Sequence, residues 1–255
     1  KRIVENFYLV LILIFLYAPI VTMMVLSFNS SKSRTQWGGF TLQWYTQMFD
    51  SATIMDALVN TLLIAFVSAL IATIIGTAAS IAINSMKPLP RTIIMGITNI
   101  PMLNADIVTG ISLMLAFIAF GISLGFQTIL IAHITFNIPY VILSVMPKLK
   151  QTNKSTYEAA MDLGANPFQT FQKVVLKLSM PGVINGIVMV FLMVISSFVI
   201  PKLLGGGQFV LIGNLIESQF VSVGDWNFGS AISLILAVLI LVAMRLMKKM
   251  DVQDN

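Results

Sequence analysis

The residues that could do chemistry in this sequence are few, and they do not form a catalytic set. There are no cysteines, which excludes disulfides, thiolate metal sites and cysteine nucleophiles. The glycines at 205–207 are followed by Gln208 and Phe209, without the Lys-Ser or Lys-Thr pair of a phosphate-binding loop. Zinc-ligand spacings and a nucleophile elbow are also missing. We therefore expect that the chain is not an enzyme, binds no metal and does not hydrolyse ATP itself.

Two side chains in apolar surroundings have chemistry that suits the passage of a cation. Asp106 is the only acidic residue within the apolar segments, and a carboxylate at membrane depth usually faces a cavity or a partner. Tyr140 supplies an aromatic face of the kind that replaces water around a cation, and the alternative for it is packing, the usual role of an aromatic residue on a span. The alternative for Asp106 is that it caps a helix starting at Ile107. His133, the only histidine, is more typical of a hydrogen-bonding group between helices than of a proton relay.

The elements that must position these side chains are membrane helices. Hydrophobic residues make up 57% of the chain and charged residues 10%, with a mean hydropathy of +0.92, whereas soluble domains carry about 25% charged residues. A helix needs ~20 apolar residues to cross the bilayer core. We expect an all-α integral membrane protein with six transmembrane helices. The six qualifying segments are roughly 7–28, 57–83, 93–120, 126–147, 181–200 and 228–247.

The third of these segments is interrupted by polar residues and a proline. Pro101 and Asn104 fall within it, close to Asp106, so we expect a broken or kinked helix there. Such a break is tolerated only where the backbone faces protein or a water-filled cavity. The break therefore places Asp106 beside a candidate cavity.

The basic residues are distributed unevenly between the connecting segments, which predicts the orientation. With the N-terminus in the cytoplasm, only Lys32, Arg34 and Lys202 lie outside, and the other twelve of the 15 basic residues lie inside. We therefore expect both termini and the segments 84–92 and 148–180 in the cytoplasm. This asymmetry also explains the net charge of +5, so we expect the lipid bilayer as the surroundings and no nucleic-acid partner.

The segment 148–180, between the fourth and fifth predicted spans, carries the most specific pattern. From Ser155 the chain reads STYEAAMDLGANPFQTFQKVVLKLSMPGV. Ser155 can cap a helix that Gly164 ends, since glycine readily takes the left-handed conformation after a helix. Asn166 can cap a second helix, with Pro167 suited to its first turn. We expect a helix-turn-helix that inserts into a groove on another protein, and the alternative is an amphipathic loop lying on the membrane surface.

This segment resembles the EAA loop of the permeases of type I ABC importers. Four positions match the pattern of that family in place, whereas Lys177 stands where the family has a proline. The resemblance implies that the four residues belong to a coupling helix docked on a cytoplasmic ATPase. The matching positions are Glu158, Ala159, Ala160 and Gly164.

Other stretches resemble the permeases of spermidine/putrescine importers. The runs SFNSS at 27–31, ADIVTGISL at 105–113 and AHITFNIPYVILSV at 132–145 are similar to the C-type subunit, and the later run LLGGGQFVLIGNLIESQF to the B-type subunit. The acidic pair of the C-type fifth span is absent. The resemblance implies a polyamine cargo, whose ammonium groups suit Asp106 and Tyr140.

Together with the spans, the resemblance implies one permease domain over residues 1–255, with its coupling loop at about 148–180, in the bacterial cytoplasmic (inner) membrane. Its partners would be a second permease subunit, two ATP-binding subunits that use ATP and Mg, and a periplasmic or extracellular substrate-binding protein. The chain itself would bind no cofactor. Two alternatives stay open: an ABC importer permease for another small solute, and a secondary transporter driven by an ion gradient. The second predicts internal repeats and more buried charges, which we do not find.

Overall fold

The computed structural model of the chain describes residues 2–33, 35–151 and 154–253, and within these ranges it is helical, without extended strands. This confirms the predicted all-α fold class for the described residues. The helices are α1 (Arg2–Ser27), α2 (Gln43–Asp50), α3 (Ala52–Ser85), α4 (Pro88–Leu103), α5 (Asp106–Ala119), α6 (Phe126–Gln151), α7 (Lys154–Asp162), α8 (Pro167–Thr170), α9 (Leu176–Ile195), α10 (Val199–Leu204), α11 (Ile212–Ser218) and α12 (Trp226–Gln253).

Five helices within the described ranges are long and apolar enough to cross a membrane, and the α4–α5 pair makes a sixth if it counts as one span. They overlap the six predicted segments. The main difference is at α9, which begins earlier than the predicted segment 181–200 and ends at Ile195. The Ser196 hydroxyl donates to the carbonyl oxygens of Leu192 and Met193, at 3.0 and 3.2 Å. The apolar run that set the predicted end at Ile200 continues instead into α10, which begins at Val199.

The chain is divided into two compact units. One comprises the residues up to Val59 together with Ile212–Ala243, and the other comprises Asn60–Leu211 with the residues from Met244. The long helices α3 and α12 each contribute residues to both units. Asp106, Tyr140 and the 158–164 stretch all belong to the second unit.

The first unit is held together around the segment that follows α1. The rings of Trp44 and Phe228 lie 6.5 Å apart and join α2 to α12 in one buried cluster. The Trp44 indole N–H and the Asn227 side-chain amide both donate to the main-chain carbonyl of Asn29, at 2.8 and 2.9 Å. Asn29 is itself buried, so its main chain needs these partners. The segment after α1 is therefore fixed against both α2 and α12.

In the second unit, α6 packs closely against α9 and α3 through small residues. A Cβ atom at Gly182 of α9 would lie 3.0 Å from the carbonyl oxygen of Ser144, so glycine lets the two backbones approach. Gly76 of α3 allows a similar approach to Val141. Val141 and Val145 are fully buried. These contacts place α6 in the interior of the unit, where it carries the side chains of the candidate site.

Candidate functional site

A cavity of about 180 Å³ lies in the second unit, between α5, α6, α9 and α10. Its wall contains both residues predicted for a cation pathway, Asp106 and Tyr140, which the structure therefore brings together. Aromatic rings of Phe136 and Phe198 also line it. The remaining polar residues of the wall are His133, Asn137, Ser196 and Ser197.

Two interruptions of the helical backbone border this cavity. Helices α4 and α5 meet at an angle of 100°, with Asn104 and Ala105 in extended conformation between them. The sequence predicted this break, although Pro101 lies inside α4 and the helix continues for two residues beyond it. Helices α9 and α10 are separated by residues 196–198, which form the second interruption. It was not predicted, because the apolar run continues through Ile200.

Asp106 is the first residue of α5, and Ala105 occupies the position before it. Asp106 therefore does not cap a helix starting at Ile107, and its carboxylate lies in the first turn instead. A carboxylate in the first turn is stabilised by the partial positive charge of the helix N-terminus. The side chain is also exposed within the chain and lines the cavity, so its charge is accessible to a cation.

His133 does not make the interhelical hydrogen bond that the sequence suggested. Its Nδ1 lies 2.9 Å from the carbonyl oxygen of Ile129, one turn earlier in the same helix. Its Nε2 is buried and has no hydrogen-bond partner among the described residues. The expectation was wrong because the main chain of α6 supplies the bond locally. The ring is therefore half satisfied and lines the cavity.

Asn137 is a site residue that the sequence analysis missed. His133, Asn137 and Tyr140 stand at i, i+4 and i+7 in α6, which places them on one helical face. That spacing, beginning at the lone histidine, was the available signal. Ser196 and Ser197 gave no comparable signal. They line the cavity because α9 ends just before them and the chain then turns into α10.

The turn at Gly164 has the geometry that the sequence predicted. Gly164 has a φ of +88°, in the left-handed region that favours glycine. Its N–H donates to the Met161 carbonyl at 2.9 Å, and the Ala165 N–H donates to the Ala160 carbonyl at 3.2 Å. These two bonds form a Schellman motif that ends α7. Glu158 and Ala159 lie in α7, and the Glu158 side chain is outside the described residues. Ser155 is the second residue of α7, so it does not cap this helix as predicted, because the helix already begins at Lys154.

The second helix of this segment begins at the predicted residues, but it does not continue as one regular α-helix. The Asn166 side chain accepts from the Gln169 N–H at 2.8 Å, and the Gln169 side chain accepts from the Asn166 N–H at 3.1 Å. This reciprocal capping box starts α8 at Pro167. After α8 the chain passes through a π-helical turn, Phe171–Val175, directly into α9. Lys177, at the position where the family has a proline, is the second residue of α9.

Comparison with known proteins points to a transport family and to permeases of polyamine transport systems. A family described as "Binding-protein-dependent transport system inner membrane component" matches residues 72–251. The chain is 32% identical to the spermidine/putrescine transport system permease protein PotC of Escherichia coli K12, over 100% of this chain and 97% of that protein. It is 33% identical to the putrescine transport system permease protein PotI of the same strain, over 75% of this chain and 71% of that protein.

Solved structures with the same fold come from ABC importers. A bacterial ABC transporter involved in the import of the acidic polysaccharide alginate has a chain that matches with a TM-score of 0.77 and 16% identity, over 99% of both chains. The methionine ABC transporter MetNI matches with a TM-score of 0.68 and 20% identity, over 80% of this chain and 99% of that chain. At these identities the likeness establishes a shared fold and carries nothing about cargo.

Proposed function

The chain belongs to the family of binding-protein-dependent transport system inner membrane components, and on that premise we propose that it is the permease of an ATP-driven importer of polyamines such as spermidine and putrescine. It is a multi-pass membrane protein and a transport component rather than a catalyst. Similarity to the spermidine/putrescine permease PotC over the whole chain supports polyamines as the cargo. The observation that carries the proposal is that Asp106 and Tyr140 line one cavity in a chain with that similarity.

The cavity has the chemistry that a polyamine needs. A polyamine is a flexible apolar chain with charged ammonium groups, and each group loses water when it enters a membrane cavity. A carboxylate offsets that loss by charge pairing, and an aromatic face offsets it by cation–π attraction. Asp106 provides the carboxylate, and Phe136 and Tyr140 provide rings. An anionic cargo would instead be repelled by Asp106, so this set of side chains favours cations.

The helical segment 154–175 is the proposed contact with a separate ATPase. Its first helix, α7, presents exposed small residues, and Leu163 beside the turn is 89% exposed. A short helix with small residues and with exposed apolar side chains at Met161 and, just after it, at Leu163 suits insertion into a groove of another protein. ATP and Mg would be bound and used in that partner, not in this chain. The proposed coupling residues are Glu158, Ala159, Ala160 and Gly164.

The proposed assembly contains a second permease subunit, two ATP-binding subunits and an external substrate-binding protein, in the bacterial cytoplasmic membrane. In this arrangement the chain is one permease domain over residues 1–255, with both termini and the segment 148–180 in the cytoplasm. The apolar helix α1 fits lipid or a second permease as its surroundings, since none of the residues from Asn6 to Leu26 is buried within this chain, whereas Ser27 at its end is buried.

Uptake by the reconstituted complex tests the proposed function. The permease is assembled with its partner subunits in proteoliposomes, and accumulation of labelled spermidine and putrescine is measured with and without ATP. We expect accumulation that needs ATP, persists when ion gradients are collapsed, and is lost when the ATP-binding subunits cannot hydrolyse ATP. Uptake driven by an ion gradient without ATP would support a secondary transporter. ATP-dependent uptake of a different solute alone would overturn the polyamine cargo.

A further inference from the structure

His133 is a buried side chain whose two ring nitrogens have different surroundings. Its exposed fraction is 2%. Nδ1 lies 2.9 Å from the carbonyl oxygen of Ile129, and because a carbonyl only accepts, Nδ1 carries the proton. Nε2 has no hydrogen-bond partner in the part of the chain that the structure describes. In the neutral ring, Nε2 is therefore an acceptor whose lone pair is unused.

Asn137, one turn further along α6, is also buried and also has one unpaired side-chain atom. It is 2% exposed, and its Nδ2 has no partner among the described residues. Buried polar groups in native proteins are nearly always hydrogen-bonded, because an unpaired one is costly. Both side chains line the cavity that contains Asp106 and Tyr140. Of these two groups, His133 Nε2 is an unused acceptor, whereas Asn137 Nδ2 is a donor and does not pair with an ammonium group.

We infer that His133 Nε2 accepts a hydrogen bond from an N–H group of the cargo, which makes His133 a specificity-determining residue. This inference rests on the proposed function. Nε2 is closed to solvent in this structure, so the contact requires a movement of the cavity wall. Asp106 attracts any cation through its charge, whereas a nitrogen lone pair needs a hydrogen atom on its partner. His133 therefore favours protonated amines over cations without N–H groups, such as quaternary ammonium ions.

Three substitutions separate the hydrogen bond from the shape of the ring. His133→Gln places an amide oxygen near the position of Nε2, His133→Asn reaches only about as far as Nδ1, and His133→Phe keeps a ring without nitrogen. Thr135→Val is the matched control, since Thr135 is on the same helix, bonds to the Ile131 carbonyl and does not line the cavity. Spermidine and putrescine uptake by the reconstituted complex is measured against cargo concentration and normalised to the amount assembled. The melting temperature is recorded on the same samples.

Loss of one buried hydrogen bond to a charged group corresponds to about tenfold in binding. We expect the Phe and Asn variants to lose about tenfold in uptake at low cargo concentration, with unchanged assembly. The Gln variant should retain most of the uptake, and Thr135→Val should match the parent.

Parental uptake by the Phe variant would overturn the inference. Equal losses in the Gln and Asn variants would overturn it as well, because the reach of the acceptor would then not matter. This Gln–Asn comparison also decides the case if the Phe variant does not assemble. These outcomes concern only the variants, so they leave the proposed function untouched as long as the parent complex takes up polyamines. Failure of the parent complex to take up polyamines would instead overturn the proposed function.

Discussion

The hydroxyl of Ser144 on α6 donates a hydrogen bond of 2.8 Å to the main-chain carbonyl of Gly182 on α9. Helix α6 carries Tyr140, and α9 ends at Ile195, next to Ser196 of the cavity wall, so the bond joins two of the helices that line the cavity. Helix α6 leads into the segment 154–175, and α9 continues from it. The α6–α9 pair therefore connects the proposed ATPase contact with the proposed cargo cavity.

Gly182→Ala should loosen this pair, whereas Gly186→Ala should not. A Cβ atom at 182 would lie 3.0 Å from the Ser144 carbonyl oxygen, but at 186 the nearest atom is 3.5 Å away. The first substitution must displace backbone and should cost about 1–3 kcal/mol. The second should be neutral or gain up to about 1 kcal/mol of helix propensity. Thermal unfolding of the purified complex measures both, and a melting temperature for Gly182→Ala equal to that of Gly186→Ala would contradict the packing described here.

Gly164→Leu should uncouple ATP hydrolysis from uptake. Gly164 has a φ of +88°, and a side chain in that conformation costs about 1–2 kcal/mol. The turn after α7 should therefore change shape, and the proposed contact with the ATPase should be lost. The measurement is polyamine uptake together with the stimulation of ATPase activity by the loaded binding protein.

Two further variants control for the backbone strain at Gly164. Gly164→Asn should retain coupling, since asparagine tolerates the left-handed conformation better than leucine. Gly207→Leu introduces a similar strain, at a φ of +76° with no atom within 4 Å, but in the segment expected on the opposite side of the membrane. It should leave coupling intact. Wild-type uptake and ATPase stimulation in Gly164→Leu would refute the proposed role of this turn.

Single cysteines should report the proposed orientation, because the chain has no native cysteine. A cysteine at Ser155 should react with a membrane-impermeant thiol reagent only after the cells are opened. A cysteine at Gln47, exposed on α2 in the segment expected outside, should react in intact cells. The expectation comes from the excess of Lys and Arg in the inside segments. Labelling of the Ser155 cysteine in intact cells would show that the topology is wrong.

Features set by neighbouring residues could be predicted from the sequence. The helical spans follow from the lengths of the apolar runs, and the Gly164 turn and Asn166 cap follow from local backbone chemistry. The break beside Asp106 was signalled by Pro101 and Asn104, and it lies at Asn104 and Ala105.

Features that depend on contacts between distant helices were not predictable in the same way. The end of α9 was placed too late, because Ile200 continues an apolar run that turns into α10. Asn137 was missed, and His133 was expected to bond between helices, because neither assignment follows without knowing which face of α6 meets the cavity. A single sequence does not give that face, since it is set by packing against α3 and α9 through Gly76 and Gly182.

The most direct test of a cationic cargo is the substitution Asp106→Asn, which keeps the shape of the side chain and removes its charge. Asp50→Asn is the matched control, since Asp50 is exposed at the end of α2 and belongs to the other unit. Spermidine and putrescine uptake by the reconstituted complex is measured and normalised to the amount assembled. We predict that Asp106→Asn assembles normally and loses at least about tenfold in uptake, whereas Asp50→Asn transports at the parental rate. Parental uptake by an assembled Asp106→Asn complex would contradict the assignment of this carboxylate to the cargo path.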